Sequence, residues 1–327
     1  MSHPSTECHH RQNETTRLSS RSTTTLDARF CLRNAQPLAI PRKIGMTRLL
    51  VVLFLAPMIM FAQTSALGQN TQSSRRLRIL VTNDDGYQAP GLLALVDSIR
   101  PIADITVVAP LEQQSGTGHG ISFRDPINVF EFGNPHGVPW YAVDARPATV
   151  VRVALFSLID SMPDLVISGI NTGDNIGTNA WVSGTVAAAR EAALSGLPAL
   201  AFSVNLTGPD PYKVAAGWAR QVVVQLKTEA RLQAPLLLNV NLQGEDPLGI
   251  RVAPMSLETG EQSYDRRVSP GGQVYLWHEW AAAEDAGVEG TDLYWYRRGY
   301  VTITPLRIDQ TDSAAILEME LLFNRPQ

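Results

Sequence analysis

Short apolar runs alternate along the chain with segments in which apolar residues recur every three or four positions, beginning at Leu77. Continuous apolar runs are typical of strands buried on both faces, and the wider spacing is typical of helices packed on a sheet. The pattern predicts strands at 77–81, 105–109, 165–168, 199–204, 236–241 and 300–306. It predicts helices at 91–100, 149–159, 185–195, 212–231 and 314–323. This alternation predicts an α/β fold with a mostly parallel, doubly wound sheet.

Residues 262–300 depart from this alternation. They contain the turn sequence Pro270-Gly271-Gly272 and several aromatic residues between Tyr275 and Tyr296, with little helical spacing. We predict a C-terminal β-hairpin excursion from the sheet here, with a role in contacts between subunits.

The N-terminal region has a different character from the rest of the chain. A segment at 46–68 combines Arg48, 14 apolar residues and small residues near its end, which predicts a cleaved signal peptide and export to the periplasm or beyond. Cleavage would leave no stable membrane insertion, and an uncleaved anchor is the alternative. Residues 1–45 lack apolar periodicity, so we expect them to be disordered or an extension preceding a true start at Met46. The folded domain is then expected at 75–327.

Charge and cysteine placement narrow the possible functions. The first 68 residues contain eight of the 27 Lys and Arg residues and three of the 31 Asp and Glu residues. The rest of the chain therefore has 19 basic and 28 acidic residues, a net charge of −9. An acidic body argues against nucleic acid as the main partner. The two cysteines, Cys8 and Cys31, both precede the body. The body therefore has no disulfide, thiol chemistry or cysteine-based zinc site.

Polar clusters follow three of the predicted strands. The first strand ends at Asp84 and Asp85, the second leads to Ser115, and the third ends in a polar segment at 168–175. Ligands in open α/β sheets bind at the carboxyl ends of the strands, so these clusters should converge. A cation would offset the repulsion between the adjacent carboxylates, and oxygen donors suit Mg²⁺, Mn²⁺ or Ca²⁺. The alternative for the Asp-Asp-Gly sequence is a simple turn with a helix cap.

A fourth polar segment begins the predicted helix at 185–195. Ser183, Gly184 and Thr185 precede a run of strong helix formers. The free N–H groups at a helix start bind anions, and Gly184 permits close approach of a ligand. An ordinary serine N-cap is the alternative. Beside a metal site, this segment indicates a phosphate ligand.

These motifs, taken in order, resemble those of the SurE family of survival-protein phosphatases, the 5′/3′-nucleotidases. The matching segments are NDDG..APG at 83–91, AP....SG...GIS at 109–122, SGIN.G.N.G at 168–177, SGTVAA at 183–188, GTD at 290–292 and GYVTITPL at 299–306. The resemblance covers nearly the whole body of the chain, from about Arg78 to about Leu322.

The resemblance implies a Rossmann-like three-layer α/β/α sandwich. It implies a metal-dependent phosphomonoesterase that converts nucleoside 5′/3′-monophosphates to nucleoside and phosphate, with one Mg²⁺ or Mn²⁺ ion. The residues it assigns are metal ligands Asp84, Asp85, Ser115 and Asn171, phosphate-binding Asn175, Ser183, Gly184 and Thr185, and catalytic Asp84, Asp85 and Asn175. It also implies a homodimer or homotetramer, and a cytoplasmic location as the alternative to export.

Several positions depart from the family pattern. Thr149 replaces an acidic residue, Val182 replaces a tyrosine and Gly120 replaces a serine. These departures keep two alternatives open: a broad phosphatase or exopolyphosphatase, and a non-catalytic protein that binds nucleotides with a metal. His119, in the second motif, is either a general acid or a loop histidine bonded to backbone.

Overall fold

The structure, a computed structural model, describes residues 75–281 and 287–324. The predictions for 1–45 and for the signal segment 46–68 lie outside the described residues. Within the described residues, no helix is both long enough and apolar enough to cross a bilayer.

Eleven strands occur within the described residues. They are β1 (Leu77–Thr82), β2 (Ala103–Pro110), β3 (Val129–Glu131), β4 (Trp140–Val143), β5 (Leu165–Thr172), β6 (Ala199–Asn205), β7 (Leu237–Gln243), β8 (Ile250–Val252), β9 (Glu261–Val268), β10 (Val274–Ala281) and β11 (Val301–Pro305). Nine of them form one sheet in the order β3-β4-β2-β1-β5-β6-β7-β11-β8. Pairing is parallel except at β3–β4 and β11–β7. β9 and β10 form a separate antiparallel hairpin, which confirms the predicted C-terminal excursion.

Helices cover both faces of the main sheet. They are α1 (Pro90–Ile99), α2 (Pro147–Val153), α3 (Gly184–Leu194), α4 (Pro211–Thr228), α5 (Asp292–Tyr296) and α6 (Ser313–Phe323). Alternate residues of β1 point to opposite faces, so Ile79 and Val81 join the core under α1 and α4. Leu80 joins a second core under α2 and α3. The predicted three-layer α/β/α sandwich is confirmed.

The direction of winding reverses at β1. This strand pairs in parallel with β2 on one side and with β5 on the other. The carboxyl ends of β1 and β5 therefore flank the crevice in which open α/β sheets bind their ligands. The first and third polar motifs lie at these two strand ends.

Two of the predicted elements differ from the structure in extent or kind. β5 continues to Thr172 rather than ending at Ser168, because Asn171 and Thr172 pair with β6 beyond an irregularity in register. The predicted helix at 149–159 begins at Pro147, is α-helical only to Val153 and continues as a wider π-helical turn. Proline at the first turn is favourable because its missing N–H would have no helical partner.

The other differences are short elements without a clear pattern. α5 lies in a region for which no helix was predicted, because five residues are too few to show helical spacing. The strands β3, β4 and β8 were also not predicted, since each has only three or four residues.

Candidate active site

The carboxylate of Asp84 lies against the start of α3. Asp84 follows β1 and is 3% exposed. Thr185 Oγ1 donates a hydrogen bond to Asp84 Oδ1. A Cβ atom at Gly184 would lie 2.7 Å from Asp84 Oδ2, so a larger residue would displace the carboxylate or the helix start. The fold thus joins the first and fourth motifs, which are 101 residues apart at this contact.

Asp85 is held by residues of the second and third motifs. The backbone N–H of Thr172 donates to Asp85 Oδ2 at 2.9 Å. Burial raises the pKa of Asp85, while hydrogen bonding from Thr172 and Gln113 lowers it. The Gln113 amide also donates to Ser115 Oγ at 3.1 Å. Gln113 therefore lies near Asp85 and holds the Ser115 hydroxyl.

Electrostatics at this point favour a cation. Burial raises the pKa of Asp84 to about 6; the Thr185 hydrogen bond lowers this pKa, and the charge of Asp85 raises it. Two adjacent carboxylates with raised pKa values would repel an anionic substrate unless a positive charge lay between them and it.

The side chains near this crevice fit a hard divalent ion. Asn171 is 7% exposed and its amide nitrogen donates to the Gly173 carbonyl at 2.8 Å, which leaves the amide oxygen for another partner. With Asp84, Asp85 and Ser115 it would complete an all-oxygen donor set of the kind Mg²⁺ and Mn²⁺ prefer. Among the described residues, no three His, Cys, Asp or Glu side chains form a metal-binding cluster, so neutral oxygens would have to supplement the two carboxylates.

The start of α3 is both capped and available to an anion. Ser183 Oγ accepts a hydrogen bond from the Val186 N–H at 3.1 Å, so Ser183 is an N-cap. The remaining first-turn N–H groups of a helix have no partner within the helix and can bind phosphate. The Thr185 hydroxyl donates to Asp84 and the Thr185 backbone N–H also lowers the pKa of that carboxylate, so the N–H of Gly184 is the first-turn group left for such a ligand.

Asn175 is anchored by a buried polar cluster at the ends of β6 and β7. Its backbone N–H donates to Asn241 Oδ1 at 2.7 Å, and its amide nitrogen donates to Ser203 Oγ at 2.8 Å. Its carbonyl accepts a hydrogen bond from Asn239 Nδ2 at 2.8 Å. Within the described residues, no hydrogen bond joins the Asn175 side chain to Ser183 or Thr185.

Sequence reasoning missed the residues that support Asn175 and Asp85. Asn239 and Asn241 occupy alternate positions of β7, and Ser203 lies in β6; all three are fully buried. Polar residues at period two within an apolar strand are the signal that could have identified them. Gln113 carries no comparable signal, because it lies in an irregular loop.

Comparison with known families agrees with this arrangement. The family model described as "Survival protein SurE" matches residues 79–262, which include the first four motifs. The chain belongs to the SurE family.

Curated SurE relatives are similar over nearly their entire lengths. The 5′-nucleotidase SurE of Geobacter metallireducens is 36% identical over 249 residues, 75% of this chain and 96% of the relative. The 5′-nucleotidase SurE 1 of Thermus thermophilus is 41% identical over 241 residues, 72% of this chain and 93% of the relative. The crystal structure of the SurE protein from Aquifex aeolicus has a TM-score of 0.64 and 30% identity, covering 75% of this chain and 99% of that one.

The departures from the SurE pattern lie beside the crevice. Thr149 Oγ1 accepts a hydrogen bond from the Ser122 N–H at 2.8 Å, so threonine still provides an acceptor for the loop of the second motif. The side chain of Val182 is exposed, while its carbonyl accepts from the Gly118 N–H at 2.9 Å. A Cβ at Gly120 would lie 2.5 Å from Arg146 Nη1. Arg146 therefore occupies space that a larger residue at 120 would need.

His119 is bound to an ion pair rather than to backbone. Its Nε2 lies 2.8 Å from Oε2 of Glu191, which is within α3. Arg152 Nε donates to Glu191 Oε1 at 2.5 Å from the neighbouring helix α2. His119 Nδ1 is buried and has no hydrogen-bond partner among the described residues. The loop-histidine interpretation is thus correct in location but wrong about the partner.

Proposed function

We propose that this chain is a metal-dependent 5′-nucleotidase that hydrolyses nucleoside monophosphates to nucleoside and phosphate. The observation that carries the proposal is the contact between Asp84 and the first turn of α3, made through Thr185 and Gly184. It places a carboxylate suited to a cation beside N–H groups suited to a phosphate. The names of the SurE relatives, each a 5′-nucleotidase, support the choice of substrate.

In this proposal Asp84, Asp85, Ser115 and Asn171 hold one Mg²⁺ or Mn²⁺ ion. The chemistry supplied by such an ion is polarisation of the phosphoryl group and a lowered pKa for the attacking water. Thr172 holds one Asp85 oxygen, which leaves the other to orient that water or to bind the ion. Thr185 fixes the rotamer of Asp84, whose second oxygen lies against Gly184 at the start of α3.

The phosphate is held at the start of α3. The backbone N–H of Gly184 stabilises the charge on the equatorial phosphoryl oxygens in an in-line displacement, and Thr185 completes this site by holding Asp84 beside it. Ser183 keeps this turn in place as its N-cap. Asn175, held rigidly by the cluster on β6 and β7, is the remaining phosphate-binding and catalytic residue of the proposal.

The oligomer and the location belong to the same proposal. α6 presents exposed apolar side chains that include Ile316, Leu317 and Phe323. A largely apolar helix left this exposed favours burial against a second copy, as in a homodimer or homotetramer. The segment 46–68 supports export, and 75–327 is then the single catalytic domain.

The test is phosphate release by the full-length chain from a panel of nucleoside monophosphates. We expect release with Mg²⁺ or Mn²⁺, loss on chelation, and recovery on metal addition. Asp84→Asn should lower kcat by about 10³-fold or more, because it removes a charge from the ion site. Asp246→Asn, at an exposed position, is the matched control.

Three outcomes would contradict the proposal in different ways. Wild-type turnover in Asp84→Asn would exclude this site. Equal turnover of polyphosphate or simple phosphate esters would support a broad phosphatase. Metal-dependent nucleotide binding without turnover would support the non-catalytic alternative.

A further inference from the structure

A cavity of about 290 Å³ opens directly beside the phosphate-binding segment. Asp174 and Gly177, on either side of Asn175, form part of its wall. Asn205, the last residue of β6, forms another part. The cavity thus lies at the carboxyl ends of β5 and β6, on the edge where α/β sheets bind ligands. It is linked to the proposed phosphate site through the loop that carries Asn175, since Asp174 and Gly177 flank that residue.

Its lining is polar. The Asp174 carboxylate and the Asn179 and Asn205 amides line it. Burial raises the pKa of Asp174, and the charge of the Arg297 guanidinium, which also lines the cavity, lowers it. Glu258 uses one carboxylate oxygen, Oε2, to accept from the Val288 N–H at 3.1 Å. These carboxylates and amides have donor and acceptor atoms that can bind hydroxyl groups of a ligand.

A buried hydroxyl beneath the cavity lacks a partner as well. Tyr296 is 6% exposed, and its hydroxyl has no hydrogen-bond partner among the described residues. Burial raises the pKa of Tyr296, the charge of Asp174 adds to this, and the nearby Asn205 amide lowers it without meeting hydrogen-bond geometry. Asp174 and Asn205 therefore both lie close to this hydroxyl. A buried, unsatisfied polar group in a cavity wall indicates a partner other than protein.

The size and chemistry of the cavity favour a sugar over a base. Ligand pockets commonly measure about 300–1,000 Å³, so this one is at the small end of that range. A base would need an exposed aromatic face for stacking, whereas Tyr296, the aromatic residue in the described lining, is buried. Carboxylates and amides bind the hydroxyl groups of ribose, as the acidic residue of dinucleotide-binding folds does.

We propose that this cavity binds the 2′- and 3′-hydroxyl groups of the ribose of the substrate, an inference that rests on the proposed nucleotidase function. Asp174 is next to Asn175 in sequence, and only the C5′ methylene separates the phosphate ester from the ribose ring of a 5′-nucleotide. Ribose bound in the cavity would hold the ester in one orientation at the start of α3. Asn205, Glu258 and Asp174 would then determine the preference for ribonucleotides.

The test compares the binding of adenosine 5′-monophosphate with that of its 2′,3′-dideoxy analogue to the full-length protein after chelation of metal, a condition in which no hydrolysis is expected. We expect wild type to bind the ribonucleotide at least about tenfold more tightly, since a hydrogen bond to a charged group contributes on that scale. Asn205→Ala and Glu258→Gln should each lower this ratio about three- to tenfold. Glu258→Gln keeps an acceptor for Val288. Asn134→Ala, at an exposed turn far from the cavity, should leave the ratio unchanged.

Two separate readouts keep this inference distinct from the function on which it rests. The ratio of affinities is measured by calorimetry on the metal-free protein and needs no turnover, whereas phosphate release from either compound with Mn²⁺ tests the nucleotidase activity. Turnover with an affinity ratio near one in wild type would overturn the ribose site and leave the nucleotidase intact. A ratio unchanged in both variants would also overturn it. Absence of turnover would overturn the nucleotidase, and the affinity ratio would still decide whether the cavity recognises ribose.

Discussion

His119 Nε2 lies 2.8 Å from Glu191 Oε2, and this contact joins the loop of the second motif to the helix that begins the phosphate site. Glu191 also accepts two hydrogen bonds from Arg152, so α2 is tied to the same carboxylate. Gly118 adds a backbone hydrogen bond to Val182, just before Ser183. The loop that contains Ser115 is therefore held against α3 by two contacts, His119 with Glu191 and Gly118 with Val182.

The acid sensitivity of the fold should depend on Glu191. Burial raises its pKa, but the hydrogen bonds and charges of His119 and Arg152 outweigh burial and lower it. A carboxylate with a lowered pKa in the folded protein stabilises the fold above its unfolded pKa of about 4.3, and that contribution is lost as pH falls through the folded value. The free energy of unfolding of wild type should therefore fall between about pH 5 and pH 3, and that of Glu191→Gln should fall by less.

Urea unfolding of wild type and Glu191→Gln over that pH range measures the difference. The raised pKa values of Asp84 and Asp292 make the fold more stable as pH falls, and they do so equally in both proteins. The difference between the two proteins therefore reports on Glu191. Glu245→Gln, at an exposed position, should show the same dependence of unfolding free energy on pH as wild type. If the unfolding free energy of Glu191→Gln depends on pH as that of wild type does, the Glu191 carboxylate has no net stabilising role.

Gly184→Ala should impair activity far more than it impairs folding. The added Cβ would lie 2.7 Å from Asp84 Oδ2 and must displace either the carboxylate or the first turn of α3. A misplacement of about 1 Å at a reacting centre costs roughly 10²-fold in rate. Steady-state kinetics with a nucleoside monophosphate, together with thermal unfolding, separates the two effects.

Gly217→Ala is the control for that substitution. Gly217 lies in α4, and no atom lies within 4 Å of the position its Cβ would take. Alanine there should stabilise the helix by about 0.5–1 kcal/mol and leave turnover unchanged. Equal kinetics in both variants would contradict the close packing of Gly184 on Asp84.

The substitution of threonine for the acidic residue of the family should preserve function. Thr149 Oγ1 accepts a hydrogen bond from the Ser122 N–H at 2.8 Å, and aspartate could accept the same bond. Thr149→Asp should therefore retain kcat/KM, whereas Thr149→Val should lower both kcat/KM and stability, the latter by about 1 kcal/mol. Thr311→Val, at an exposed position, serves as the control. A large gain of activity in Thr149→Asp would instead support the alternative of a protein with impaired catalysis.

Self-association should depend on the exposed apolar side chains of α6. Leu317 is 64% exposed and Ile316 is 44% exposed on the isolated chain. Leu317→Asp should shift the sedimentation coefficient toward that of a monomer, because a buried interface excludes an unpaired charge. Glu318→Ala on the same helix should sediment as wild type does. A wild-type monomer at micromolar concentration would refute this assembly.

Local sequence was sufficient to predict the elements with a strong pattern. The strands β1, β2 and β6, and the helices α1 and α3, occur within one or two residues of the predicted bounds. Each has a continuous apolar run or helical spacing, so neighbouring residues alone specify the conformation. The polar motifs could be placed at strand ends for the same reason.

Elements whose stability comes from distant residues were not predictable in this way. α5 begins at Asp292, whose buried carboxylate accepts hydrogen bonds from Gly177 and Ser256. Those contacts come from loops far away in sequence and stabilise a helix of five residues that local propensity could not sustain. The continuation of β5 through Asn171 likewise depends on pairing with β6.

The sequence by itself determined the fold class and the identity of the chemical groups in the crevice, because periodicity and residue type are local properties. The tertiary structure alone decided that Thr185 donates to Asp84, that Gln113 donates to Ser115, and that His119 pairs with Glu191. It also decided where a cavity adjoins Asn175. Each of these depends on side-chain orientation and on packing between segments far apart in the chain, which no pattern of neighbouring residues records.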